Sequence, residues 1–119
     1  NLITSDGTDI LTWIEPETYK VVKRIAITEN GKSCTFLNEL EWIDGYIFAN
    51  VWTTNTIVKI NPEDGKVLGK IDLKDLAYNA AGTYPGSLEM NGIAYNPDSK
   101  TLFVTGKMWP TIYEIRLVE

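Results

Sequence analysis

The sequence predicts an all-β fold built from repeated four-stranded antiparallel sheets, and three observations predict it. First, Ile10 to Ile25 aligns without a gap to Thr56 to Ile71 at an offset of 46, with identical pairs Ile14/Ile60, Pro16/Pro62, Glu17/Glu63, Lys20/Lys66, Val21/Val67 and Ile25/Ile71. Second, Asn38 to Phe48 parallels Asn91 to Phe103, the later copy carrying a turn two residues longer, Asn96-Pro97-Asp98-Ser99-Lys100. Third, the segments between turns are short and rich in β-branched and aromatic residues, and helical periodicity is nowhere sustained. Repeats of this length, each holding four strands, are the signature of β-propeller blades.

Each element follows in chain order. Leu2 to Ser5 reads as the second strand, B, of a first blade, and the segments aligned by the 46-residue offset supply its C and D strands. A whole blade comes next: A over Asn38 to Ile43, B over Tyr46 to Trp52, C over Thr56 to Ile60 and D over Val67 to Leu73. Asp44-Gly45 supplies the positive φ that a tight A–B turn needs, and Asn61-Pro62-Glu63-Asp64-Gly65 forms the C–D turn. Leu73 to Ala81 is too short for a convincing helix and runs into Gly82 and Tyr84-Pro85-Gly86, so 74–90 is expected to be a long loop holding at most a single turn. A third blade supplies A, B and C, the last two over Leu102 to Thr105 and Ile112 to Leu117.

The blades end near residues 31 and 75, giving a partial ring of about two and a half blades. A closed ring needs at least four, so 1–119 is expected to be the C-terminal part of a single propeller domain that needs its remainder to close. The rival architecture is a compact two-sheet β domain.

Composition narrows the chemistry. Among 119 residues, 11 are Lys or Arg and 16 are Asp or Glu, and a formal charge of -5 argues against a surface that tracks nucleic-acid phosphates. No apolar run approaches the ~18 residues of a membrane span, and Asn1 to Asp6 does not read as a signal peptide. Without histidine the chain cannot supply a Ser-His-Asp or Cys-His site or a His-ligated metal. Its one cysteine, Cys34, excludes an intrachain disulfide and reads as a semi-buried packing residue.

The repeat also places polar residues. Anchored on strand C, Asp6, Trp52 and Lys107 share one position just after strand B, while Asn38 and Asn91 share another at the start of strand A. Strand A begins on the face where strand B ends, so these five are expected to crowd one mouth of the central channel. Each has a plainer role available. Asp6 heads an Asp-Gly turn, the asparagines could bond free backbone groups, Trp52 could pack between blades, and Lys107 could be a solvated charge. Trp13, Trp42 and Trp109 read as packing residues, and Glu39 and Glu41 as solvated or interblade groups. An aromatic, an amide and a cation at one mouth favour a small polar ligand.

At these residues the sequence resembles the plant and bacterial type of glutaminyl-peptide cyclotransferase, a family of five-bladed propellers. The likeness is carried by Leu37-Asn38-Glu39-Leu40-Glu41-Trp42, Ala49-Asn50-Val51-Trp52, Leu88 to Tyr95, and Val104-Thr105-Gly106-Lys107-Met108-Trp109-Pro110, and it covers essentially the whole chain. The resemblance implies an enzyme that closes the N-terminal glutamine of a peptide to pyroglutamate with loss of ammonia. It implies no cofactor and no metal, and a peptide as partner rather than nucleic acid or membrane. On it Lys107 and Asn38 would be catalytic and Trp52 would bind substrate, while the repeat placement adds Asn91 and Asp6 to the expected substrate-binding set.

The family's catalytic glutamate lies in N-terminal blades, and neither Glu39 nor Glu41 matches it, so this piece alone is expected to be inactive. The family's export implies a periplasmic or extracellular setting. The competing expectation is a propeller that binds peptides or proteins without turnover, since architecture does not fix activity. A sugar-directed propeller is weaker, because paired carboxylates are not evident at the mouth.

Overall fold

A computed structural model of the chain describes residues 1–118. Its strands form one complete blade flanked by two incomplete ones. The complete blade is a four-stranded antiparallel meander of β6 (Leu37–Ile43), β7 (Tyr46–Val51), β8 (Thr56–Ile60) and β9 (Val67–Asp72). Before it stand β1 (Leu2–Ser5), β2 (Ile10–Ile14) and β3 (Val21–Ala26) as a three-stranded sheet, and after it β10 (Met90–Asn96), β11 (Thr101–Gly106) and β12 (Tyr113–Ile115). These are strands B-C-D, A-B-C-D and A-B-C of successive blades.

The sequence repeat is a repeat of hydrogen-bond register. Residue pairs Ile10↔Ala26, Leu11↔Ile25, Thr12↔Arg24, Trp13↔Lys23 and Ile14↔Val21 in the first blade become Thr56↔Asp72, Ile57↔Ile71, Val58↔Lys70, Lys59↔Gly69 and Ile60↔Val67 in the second, each 46 residues later, with a bulge at the same step. The C–D turns match as well: Glu15 N–H donates to Lys20 O at 2.9 Å, and Asn61 N–H to Lys66 O at 2.9 Å. The turns hold Tyr19 (φ 60°) and Gly65 (φ 76°) at one position. Tyr19 is three-quarters exposed, whereas a Cβ on Gly65 would sit 2.5 Å from Ala26 O and 2.6 Å from Ile25 Cγ2. The glycine is needed where the turn of one blade presses on the end of its neighbour.

Blades pack face to face. Strand alternation sends Leu37, Ile47, Ala49, Val58 and Ile60 toward Leu11, Trp13 and Ile27, and sends Phe48 and Ile57 toward Met90, Leu102 and Val104. The middle blade is therefore buried on both faces, and each fully buried Leu or Ile contributes about 1.5–3 kcal/mol. Cys34 belongs to the first of these layers, a packing role as expected, and burial pushes its thiol pKa up.

Two features depart from the sequence expectation. Lys74–Thr83 is an α-helix, α1, not a loop or single turn. Leu73, Leu76 and Ala80 fall on one side and join the second core layer or bury completely, Asp72 Oδ1 accepts from Lys74 N–H at 3.0 Å, and Tyr113 Oη donates to Asn79 Oδ1 at 2.6 Å. Tertiary packing makes a helix of a segment whose own pattern is weak. Second, a short hairpin of β4 (Thr28–Glu29) and β5 (Lys32–Ser33) links the first two blades, held by Thr28 N–H to Gly65 O at 3.0 Å and by the Lys70–Glu29 ion pair at 2.5 Å.

Candidate functional site

The A–B hairpins fix the mouth. In the second blade Leu37 pairs with Val51 and Leu40 with Ala49, and in the third Met90 pairs with Gly106 and Ile93 with Val104, so both inner strands carry a bulge at their first residues. Asn38 and Asn91 occupy the same place in those bulges. Trp52 and Lys107 are likewise equivalent, each one residue beyond strand B. Trp52 N–H donates to Phe36 O at 2.7 Å and Lys107 N–H to Glu89 O at 3.0 Å. Thr53 (φ 71°) and Met108 (φ 60°) follow them, non-glycine residues in the left-handed region.

Asp6 falls one place out of line. Ser5 pairs with Leu11, whereas the residue paired with the equivalent Ile57 is Asn50, so the first blade's B–C turn is one residue shorter. Gly7, not Asp6, is therefore equivalent to Trp52. The Asp6 carboxylate accepts from the Thr8 N–H and hydroxyl, which lower its pKa, the hydroxyl most. Its side chain does the turn work that an Asp-Gly pair offers.

Neighbouring blades clamp the bulges. Ser5 Oγ donates to Asn38 O at 2.6 Å, and Gly92 N–H donates to Asn50 Oδ1 at 3.0 Å. Ser5 and Asn50 are equivalent positions of strand B. Glu41 takes an interblade role, its Oε2 accepting from Tyr95 N–H at 3.0 Å. With these backbone groups satisfied, the bulge asparagines have amides to spare: among the described residues neither Asn38 nor Asn91 makes a side-chain hydrogen bond, and Asn91 Oδ1 is buried without a partner. Asn50 Nδ2, in a residue only 1% exposed, is unpartnered too.

Asp6, Asn38 and Trp52 line one cavity of about 260 Å³ with Ser5, Gly7 and Leu37. Trp52 is 40% exposed and its ring lies 6.2 Å from that of Phe36, tilted by 56°. Lys107 and Asn91 do not line this cavity. Lys107 is instead held by a residue the repeat reading passed over, Glu89, whose Oε1 lies 2.9 Å from Nζ. The Lys107 ammonium holds the Glu89 carboxyl below the usual carboxylate range, and the Trp52 side chain adds a weaker pull in the same direction. Glu89 thus holds Lys107 at the register position that Trp52 occupies in the preceding blade. The signal for it was present, since the offset of 53 that relates Asn38 to Asn91 relates Phe36 to Glu89.

The other tryptophans divide. Trp13 is buried, with Lys23 Nζ 4.7 Å from its ring centroid, and Trp109 meets Tyr113 edge-on at 6.0 Å while donating to Leu88 O at 2.8 Å. Trp42 is 53% exposed: paired with Ile47, it faces the first blade and lines a cavity there with Leu2, Ile3 and Leu40, beside a sheet to which this chain supplies only strands B, C and D.

Comparison with known proteins agrees with this geometry. The family model described as glutamine cyclotransferase matches residues 1–117. A glutaminyl-peptide cyclotransferase of Arabidopsis thaliana is 42% identical over 117 residues, covering 98% of this chain and 37% of that protein. The crystal structure of Myxococcus xanthus glutaminyl cyclase superposes with a TM-score of 0.90 at 38% identity, covering 98% of this chain and 52% of that one. The chain therefore spans about a third to a half of the length of these relatives. A match that runs from the first strand to the last, in sequence and in backbone alike, means that the chain belongs to the glutamine cyclotransferase family.

Proposed function

We propose that the chain is part of a glutaminyl-peptide cyclotransferase, which converts the N-terminal glutamine of a peptide to pyroglutamate and releases ammonia. The observation that carries this reading is the shared register position of Trp52 and Lys107 on one rim, within a chain that matches the family along its length.

In the reaction the α-amine nitrogen bonds to the side-chain Cδ of the same glutamine, and negative charge gathers on the amide oxygen. The Cδ–Nε2 bond then breaks, and the proton lost by the amine leaves on the departing nitrogen as ammonia. Lys107 supplies positive charge toward the oxyanion. Asn38, whose side-chain amide is uncommitted, holds the substrate amide or backbone. Trp52 forms an apolar wall that favours the compact, cyclising rotamer. Asn91, at the register position equivalent to Asn38, adds a second amide to the rim for binding the substrate, and Asp6 frames the cavity through its turn. The proton-transferring carboxylate belongs, by family likeness, to blades outside this chain, and closure of the ring requires them. The same likeness supports a periplasmic or extracellular place of work, which fractionation of cells making the intact protein tests.

In the intact protein, Lys107→Ala and Asn38→Ala are each expected to lower ammonia release from a glutaminyl peptide by about a hundredfold with unchanged melting. Unchanged turnover in both variants overturns the reading and leaves a peptide-binding propeller.

A further inference from the structure

We propose that Glu89 is a positioning residue of the cyclotransferase site, one that braces the Lys107 ammonium at the mouth. The inference rests on the reading of Lys107 given above. Its observation is independent of that reading: one slot, just before strand A, faces the residue after strand B in both complete hairpins. In the second blade the slot holds Phe36, whose carbonyl accepts from Trp52 N–H and whose ring lies against the indole at 6.2 Å. In the third blade it holds Glu89, whose carbonyl accepts from Lys107 N–H and whose carboxylate meets the ammonium at 2.9 Å. The slot's occupant matches what it braces, an aromatic ring for an indole and a carboxylate for a cation.

The brace is firmly seated. Leu88 N–H donates to Lys107 O at 2.8 Å and Trp109 Nε1 donates to Leu88 O at 2.8 Å, so both ends of the ion pair rest on a tied backbone. A lysine carries four rotatable bonds, and one left in water would spread its charge over many positions. Held by Glu89, Nζ is confined to the rim position that Lys107 shares, by register, with Trp52. Two other roles fit Glu89 poorly. A general acid for departing ammonia works best with a pKa near the working pH, and the Glu89 carboxyl is shifted the opposite way, below the usual carboxylate range. A purely structural ion pair is also a weak explanation, since Lys107 is half exposed and surface pairs contribute little to stability.

The test is a double-mutant cycle in the intact cyclotransferase, following ammonia release from a glutaminyl dipeptide amide with Glu89→Gln, Lys107→Met and the double variant. Glu89→Gln is expected to lower kcat about tenfold while leaving the thermal melt in place, and to have no further effect once Lys107 is methionine. Glu89→Asp, which keeps the charge but withdraws it by one methylene, is expected to lose nearly as much, and either folded variant suffices. If Lys107→Met is inactive or crippled and Glu89→Gln leaves kcat unchanged, or lowers it equally in both backgrounds, Glu89 does not act through Lys107 and the inference falls alone. Full turnover by Lys107→Met removes the role of Lys107 itself, and the inference with it.

Discussion

Trp52 and Lys107 stand at one and the same register position of successive blades, each a single residue past strand B and each donating its backbone N–H to the residue just before strand A. Chemically they have nothing in common. A repeating backbone delivers an apolar wall and a cation to the same height of one rim, which is how a propeller builds a site from residues far apart in sequence. The fold's periodicity therefore specifies where these side chains sit, and the residue type at each copy specifies the chemistry it offers there.

The Gly65 turn shows the same repeat under a packing constraint. Gly65→Ala combines a positive φ with contacts below 3 Å to Ala26 O and Ile25 Cγ2. It is expected to destabilise the intact protein by about 1–3 kcal/mol in urea unfolding. Tyr19→Gly, at the equivalent exposed turn, is expected to stay within about 1 kcal/mol of the parent. Equal losses at the two positions would show that backbone conformation alone, and not the pressed neighbour, sets the cost.

Glu41 bridges the second and third blades through Tyr95 N–H. Removing the acceptor strands that N–H, so Glu41→Ala is expected to cost about 1–3 kcal/mol. Glu41→Gln keeps a carbonyl at the same reach and is expected to recover most of the loss. Ammonia release per folded molecule is expected to remain at the parental level in both. Failure of glutamine to rescue would mean that charge, rather than an acceptor, matters there.

Cys34 gives a pH signature. Burial, and then the Glu29 carboxylate, raise its thiol pKa above the ordinary 9.0. Native protein is therefore expected to alkylate slowly with iodoacetamide, with a rate still climbing past pH 9 where an exposed thiol has levelled off. The unfolded chain ionises first as pH rises, so the contribution of this site to stability is present below pH 9 and declines above it. Rapid labelling at pH 8 under native conditions would contradict the burial.

Much of this was legible before any coordinates. The 46-residue offset carried the register of β2–β3 over to β8–β9, bulge included, because the same side chains must face the same core in each copy. The equivalence of Asn38 with Asn91, and of Trp52 with Lys107, was readable for the same reason. Asp6 was misplaced by one residue because a shortened B–C turn breaks the ungapped alignment just where it was extrapolated. Trp42 is half exposed because the blade it faces is represented here by strands B, C and D alone, so the layer over it is incomplete.

By itself the sequence determined the repeat, the strand order and the register equivalence of Asn38 with Asn91 and of Trp52 with Lys107, since period, turn chemistry and alternation are local properties written into consecutive residues. Only the tertiary structure decided that 74–83 is a helix, that neighbouring blades clamp the bulges so the asparagine amides stay uncommitted, and that Glu89 grips Lys107. Those outcomes depend on groups brought together from separate strands and blades, and the energies that select them arise only when the sheets are packed.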